Sequence, residues 1–292
     1  TGSIAFVDGD DGLLNLADIS AVDLTGSIEA GLDSSNVVIT ITDSADPANE
    51  ITVATTDITV DGAGNLSVTG LDLSTATSGL TEGALTVSMT VTDVAGNTFE
   101  TDDTTTSDLT VPETPSLALS EDTNVTDDGI TSNGEVTVSG LEADATWEYS
   151  LDGGSNWIDG TGTTFTLDEG VYADGVVQIR QTDVAGNVST EVSLGAVTVD
   201  ATIAAPSLTL SEDTNVTDDG ITSNGEVTVS GLEADATWEY TTDGGSNWVD
   251  GTGTTFTLAE GSYGDGVVQI RQTDVAGNVS DAVNLGAVTV DT

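Results

Sequence analysis

The sequence predicts an all-β protein: three tandem immunoglobulin-like β-sandwich domains in an extended rod. Three observations lead there. Pro115–Asp200 and Pro206–Asp291 align without a gap and differ at ten positions only: 118, 150, 151, 158, 168, 171, 173, 190, 191 and 193. Apolar residues alternate with polar ones in short runs rich in Val, Ile and Leu, the period of half-buried strands. Gly-containing turn pairs separate these runs, and no stretch keeps a helical period over three turns.

The repeats set the domain count. "VTDVAGNTF" (Val91–Phe99) matches "QTDVAGNVS" at Gln181–Ser189 and Gln272–Ser280, which makes the first part of the chain a diverged copy. The domains are expected at 1–111, 112–202 and 203–292. In the second repeat, strands are expected at 116–120, 135–139, 145–151, 155–159, 163–167, 176–182 and 192–199. In "EVTVSG", Val136 and Val138 share one face, and in "GALTVSMTVTD" Leu85, Val87, Met89 and Val91 do. Seven short strands in one repeat fit an immunoglobulin-like sandwich; a closed barrel is the alternative. Trp147 and Tyr149 fall on the inward face of strand C, and Trp157 on a hairpin. Arg180 on strand F and Glu148 on strand C both face outward, which predicts the cross-strand pairs Glu148–Arg180 and Glu239–Arg271.

Composition then limits function. With 51 acidic side chains against 2 basic ones, the formal charge is −49. Charge of this size opposes a compact state and asks for an external neutraliser. Nucleic acid and anionic membrane both need a basic face, so neither is expected as a partner. There is no Cys and no His, which leaves oxygen ligands and a hard cation such as Ca2+. No run of about 18 apolar residues is present to insert in a membrane. The opening "TGSIAFVDGD" has neither a basic n-region nor an apolar h-region and reads as a cut from a longer polypeptide. Without His, Lys or Cys an enzyme is hard to assemble, and carboxylates duplicated across repeats do not look like one active site.

"LEADATWEYSLDGGSNWIDGTGTTFTL", "YADGVVQIRQTDVAGNVS" and "LGAVTVD" resemble the bacterial immunoglobulin-like repeats of giant repeats-in-toxin adhesins. The resemblance covers all of repeats two and three and reaches the first through "VDGDDGLLNLAD" and "VTDVAGN". It implies an extender: a spacer of stacked modules between a cell-anchored end and a ligand-binding tip. It further implies calcium at the domain junctions, export by a type I system and a place on the bacterial cell surface, in adhesion or biofilm formation. The glycine-rich nonapeptide repeat of such adhesins is absent from the sequence. The alternative is that these domains bind a carbohydrate or ice themselves. The Thr positions are too irregular for a flat ice-binding array, and the ten differences scatter rather than mark one divergent loop.

The sandwich topology places the carboxylates. The A–B loop lies at the end from which the C-terminal linker leaves, and the F–G loop at the other end. The second junction is therefore expected to gather Asp127, Asp128 and Asn133 of the A–B loop "EDTNVTDDGITSNG", linker Asp200, and Asp274 of the next F–G loop. The first junction would use Asp8, Asp10 and Asp11 with Glu113 and Asp183. In the third repeat Asp218, Asp219 and Asp291 would form half of a site facing a further domain. Pro112 is aligned with Asp200, which makes the first linker look three residues shorter. Glu121 and Asp122 are read as surface charge. The EF-hand pattern fails at "DGDDGLLNLAD", where the fifth position is Gly12 and the twelfth Ile19. The partners expected are neighbouring repeats of the same chain through Ca2+-bridged junctions, in a monomer.

Overall fold

A computed structural model describes residues 2–8, 12–44, 49–74 and 78–292. The fold is all-β, built of immunoglobulin-like sandwiches. The described residues also contain two single-turn 3-10 helices, Asp18–Ser20 and Ser34–Asn36. No helix among them is long and apolar enough to cross a membrane. The chain forms two compact units. One is Thr1–Pro115 with Gly140–Glu148 and Ile179–Val192; the other is Ser116–Ser139 with Tyr149–Gln178 and Ser193–Thr292.

In the first unit, the described residues up to 111 fold into two facing sheets. One has the order Ser3–Val7, Val22–Ser27, Asn65–Leu71, Ile58–Val60; the other runs Leu13–Leu14, Thr98–Ser107, Gly83–Thr92, Val37–Asp43, Glu50–Thr52. The expected alternation is observed: Leu85, Val87 and Met89 are fully buried and Val91 nearly so. They meet Ile4, Phe6, Leu24 and Leu66 of the opposite sheet in one core. A two-residue strand, Leu13–Leu14, pairs in parallel with Thr106–Ser107 and carries the chain from one sheet to the other.

In the second unit, the third repeat has three small sheets. Ser207–Leu210, Glu226–Ser230 and Thr255–Thr257 form the first; Ile221–Thr222, Val288–Val290 and Gly261–Tyr263 the second; Val249–Asp250, Thr237–Thr241, Gln269–Thr273 and Val283–Asn284 the third. The second repeat has the corresponding strands in the same orders. Val227, Phe256, Trp238, Ile270 and Val290 share one core. Tyr240 stacks on Phe256 at 4.3 Å, and the Trp238 indole N–H donates to Gly253 O at 3.0 Å. The inner faces of a sandwich must be apolar and closely filled, so these aromatics are packing residues, as expected for strand C.

Two features of the second repeat depart from the sequence reading. The expected strand 192–199 is split into Val192–Ser193 and Val197–Val199. Strands Ile130–Thr131 and Gly170–Tyr172, which pair with Val197–Val199, were not foreseen. Runs this short have no period to detect, and only their partner holds them extended.

The two basic side chains take the expected places. Arg180 bonds Glu148 at 2.9 Å, and Arg271 bonds Glu239 at 2.9 Å in the register Glu239↔Arg271. Arg271 also lies over the Trp248 ring, 4.3 Å from its centroid. Trp248 is thereby half-buried under a cation, which its place on a hairpin did not reveal.

Candidate junction site

With so few bases, the acids must find neutral donors. Where both residues are described, an Asn stands four residues after an Asp six times: Asp61–Asn65, Asp93–Asn97, Asp152–Asn156, Asp183–Asn187, Asp243–Asn247 and Asp274–Asn278. In each, one carboxylate oxygen accepts the Asn backbone N–H and the other accepts its side-chain amide. Hydrogen bonds to an ionised carboxylate are stronger than neutral ones and favour the charged form. They hold Asp61, Asp93 and Asp152 below the usual carboxylate range and bring Asp243 to about 2, the Asn247 side chain contributing most. A depressed folded pKa stabilises above the unfolded value of 3.8 and ceases to as pH falls through about 2. Carbon-13 NMR titration of Asp243 is therefore expected to give a midpoint near 2 that rises on Asn247→Ala. A midpoint at 3.8 would contradict the assignment.

The F–G loops Asp183–Asn187 and Asp274–Asn278 do more than close on themselves. Within the first unit, Asn187 Nδ2 donates to Asp108 O at 2.9 Å, and Asn187 Oδ1 accepts Leu16 N at 2.8 Å. Within the second, Asn278 Nδ2 donates to Asp200 O at 2.6 Å. There the A–B loop supplies two donors: Thr123 Oγ1 bonds Ala276 O, and Asn124 Nδ2 bonds Val275 O at 2.9 Å. A Cβ on Gly186 would meet the Asn15 side chain at 3.0 Å, and one on Gly277 would meet Asn124 Cβ at 3.1 Å. Both glycines have φ near +90°, a conformation glycine adopts without a steric penalty. The loop turn and the close approach both call for glycine.

A buried glutamine fixes each linker. Gln181 accepts from Glu142 N and donates to Glu113 O and Gly140 O; Gln272 accepts from Glu233 N and donates to Ala204 O and Gly231 O. Both are fully buried. The linker carbonyls Glu113 O and Ala204 O are thus equivalent. The other end of the linker corrects the sequence alignment. Asp108 N bonds Leu14 O as Asp200 N bonds Thr131 O, and each Asp carbonyl receives the next repeat's Asn. Asp108, not Pro112, therefore corresponds to Asp200, so the first linker is one residue longer than the second rather than three shorter.

The residues singled out from sequence divide as follows. Asp183, Asp274, Asp200 and Glu113 lie at the junctions. Asp183 and Asp274 there bind their own Asn, and Asp200 and Glu113 contribute backbone carbonyls. Asp8 accepts from Thr105 within the first repeat. Asp10 and Asp11 lie outside the described residues. Asn133 caps Glu135 N. Asp128 accepts Ile130 N, and Asp127, at φ 68°, donates its own N–H to Asp122 Oδ2 at 2.7 Å. In the third repeat Asp219 and Asp218 repeat these bonds with Ile221 and Asp213, and Asp291 N bonds Thr222 O. Among the described residues, no group of three or more acidic side chains converges on one point.

Asp122 is the residue the sequence reading passed over. Asp122, Asp127 and Asp128 line one cavity with Leu117, Leu119 and Ala196. Asp122 Oδ1 is buried there without a hydrogen-bond partner, and Asp213 Oδ1 repeats this beside Asp218 and Asp219. A buried ionised oxygen left unpaired is costly. The donor set, all carboxylate beside a glycine turn, suits a hard cation. Among the described residues, however, these carboxylates do not converge as a group that could hold an ion.

No family model and no curated protein matches the chain. Among solved structures, it is similar to a Ca2+-stabilised adhesin with which an Antarctic bacterium binds ice, at 19% identity, covering 100% of this chain and 74% of the other, with a TM-score of 0.42. A 1.5-MDa bacterial ice-binding adhesin retained at the host cell surface gives 18% identity over 99% of this chain and 97% of the other, TM-score 0.37. A tetra-tandem repeat from the extending region of a large adhesion protein gives 24% over 100% and 74%, TM-score 0.29. Below a TM-score of 0.5, none of these likenesses fixes a function for this chain.

Proposed function

We propose that this chain is an extender segment of a large bacterial cell-surface adhesin, exported by a type I system. In this reading its three immunoglobulin-like domains, 1–111, 112–202 and 203–292, stand end to end as a calcium-stiffened spacer that projects a distal ligand-binding domain. The observation that carries the proposal is the recurrence of one contact. Asn187 on Asp108 O and Asn278 on Asp200 O are the same bond made by the same loop. A spacer needs an identical, orientation-fixing joint at every step, whereas a binding or catalytic domain does not. The sequence resemblance to adhesin extenders supports the same reading.

Calcium enters through the A–B loop. Asp122, Asp127 and Asp128 would have to draw together to hold it in the second repeat, and Asp213, Asp218 and Asp219 in the third. Asp200, Asp274, Asp291 and Asn133 are close in sequence or topology and remain secondary candidates, as do Asp8, Asp10, Asp11, Glu113 and Asp183 at the first junction. When bound, the ion supplies positive charge to a loop that has none. Asn124 and Asp127 both sit at left-handed φ, which costs a non-glycine residue about 1 kcal/mol each. Holding that conformation keeps Thr123 and Asn124 aimed at the next repeat. Calcium thus stiffens the joint through the loop that makes it, without bridging the two repeats directly.

Calorimetric titration of the whole chain with calcium tests this. Binding is expected at about 10⁻⁴–10⁻³ M, the range of extracellular modules. The double variant Asp122→Asn, Asp213→Asn is expected to lose the heat while keeping its melting temperature in chelator. No heat from the parent chain would overturn the calcium assignment.

A further inference from the structure

The first strand of each repeat sits at a sheet edge, and only the first repeat closes that edge. Ser3–Val7, Ser116–Leu119 and Ser207–Leu210 pair with their second strands in corresponding registers. Antiparallel ladder bonds fall on alternate residues. Ser120 N bonds Glu135 O and Ser211 N bonds Glu226 O, so Ala118 and Thr209 also face the ladder. Leu117, Leu119, Leu208 and Leu210 therefore turn their N–H and C=O to the open side. Phe6, the equivalent of Leu119, gives that N–H to Asp103 Oδ2 at 3.0 Å. Aligning Thr106 with Thr198 and Thr289, which pair with the short parallel strands, puts Gly195 and Gly286 in the place of Asp103. Asp103 lies on the unbroken strand Thr98–Ser107, whereas the later repeats break this strand at the glycine. Among the described residues, no group bonds the outward N–H of Leu119 or Leu210. A groove of about 450 Å³ is left in each later repeat. Leu117, Leu119, Leu194 and Ala196 line it in the second, and Leu208, Leu210, Leu285 and Ala287 in the third. The second repeat keeps its groove open with another repeat following it, so a chain end does not account for it.

We infer that each groove takes an extended, basic peptide segment of another protein, added as a strand beside the open edge. The inference goes beyond the extender reading and does not rest on it. An open strand edge recognises extended backbone, because its free N–H and C=O groups continue the ladder, and alternate side chains of the added strand then fall on the apolar lining. Charge selects the partner. Asp122, Asp127 and Asp128 line the same groove, and Asp122 Oδ1 is buried without a hydrogen-bond partner. Asp213, Asp218 and Asp219 repeat the arrangement, with Asp213 Oδ1 left in the same state. A Lys or Arg of the added strand gives that oxygen a charged donor. This chain cannot supply it. Its only basic side chains are Arg180 and Arg271, and each is already paired with a glutamate. A second copy would also bring a further charge of −49.

The experiment titrates the whole chain, in chelator so that calcium does not compete for the carboxylates, with a short peptide of alternating Val and Thr ending in Lys on both sides. Calorimetry is expected to give two peptides per chain, because Asp103 closes the edge in the first repeat. NMR is expected to show the Leu119 and Leu210 backbone amides exchanging about tenfold more slowly with peptide, and Phe6 unchanged. The same peptide N-methylated along its backbone keeps its charge but cannot donate, and should bind at least about tenfold more weakly. Gly195→Asp grafts the closure of the first repeat onto the second, where no atom lies within 4 Å of an added Cβ; it should reduce the stoichiometry from two to one. No saturation at about 1 mM peptide would overturn the proposal. Equal binding of the N-methylated peptide would overturn strand addition, and equal binding of a Glu-ended peptide would overturn the basic partner. Protection of Leu119 and Leu210 that appears without peptide and grows with protein concentration would put a second copy in the groove and overturn the foreign one.

Discussion

Gln272→Leu is expected to cost the third repeat about 3 kcal/mol, the larger of two effects argued from the joint. Gln272 is fully buried, and its amide satisfies Glu233 N, Ala204 O and Gly231 O at once. Leucine fills a similar volume but leaves all three backbone groups without a partner, and each buried orphan costs about 1–3 kcal/mol. Some will recover a water, which is why the expected loss is below the sum. Urea denaturation with the Trp238 fluorescence as reporter measures it. The linker should loosen in step, because Ala204 O is its anchor to the strand. Faster hydrogen exchange at Glu233 N together with faster proteolysis near Ala204 would confirm the link. A loss under about 1 kcal/mol would mean that the glutamine is a bystander.

Asn278→Ala is expected to cost about 2 kcal/mol, and the paired variant Asn97→Ala distinctly less. Both remove the side-chain amide from an Asp carboxylate. The difference is surroundings. Asp274 is 5% exposed and sits under a neighbouring repeat, so its carboxylate has no water to take the place of the lost donor. Asn278 also gives up Asp200 O, the one contact that both joints share. Asn97 faces solvent and touches no other repeat among the described residues. Thermal melts of the two variants measure the gap. Equal losses would show that the Asp–Asn clamp acts only within its own loop and has no part in the joint.

Strands with several alternating residues were legible in advance because the pleat sorts side chains strictly by parity. Leu85, Val87 and Met89, and Val136 with Val138, went to the core as their spacing required. The Glu148–Arg180 and Glu239–Arg271 pairs were legible for the same reason, since strands C and F are neighbours and only two cations exist to place. Ile130–Thr131 was not legible, because two residues carry no period and a parallel partner far along the chain decides their conformation.

The joint was half legible. Topology puts the F–G loop beside the preceding linker, where the sequence predicts carboxylates around a metal; the hydrogen bonds described there join amides to carbonyls. The signal that would have found them is the Asp-to-Asn spacing of four, which recurs six times among the described residues and there marks a self-closing loop with one amide proton to spare. Asp122 was hidden for a different reason. "EDTNVTDDG" offers four acids, and which of them turns inward depends on the left-handed residues Asn124 and Asp127. Backbone handedness at Asn and Asp is permitted rather than required, so the sequence could not choose between Asp122 and Asp128.

If calcium fixes the A–B loop that docks on the next F–G loop, it converts a bendable series of repeats into a stiff one. Small-angle X-ray scattering of the whole chain, with calcium and then with chelator, tests it most directly. A larger maximum dimension and a narrower distribution of shapes are expected in calcium, with the Asp122→Asn, Asp213→Asn variant remaining in its chelator state throughout. An unchanged maximum dimension on calcium removal would contradict it.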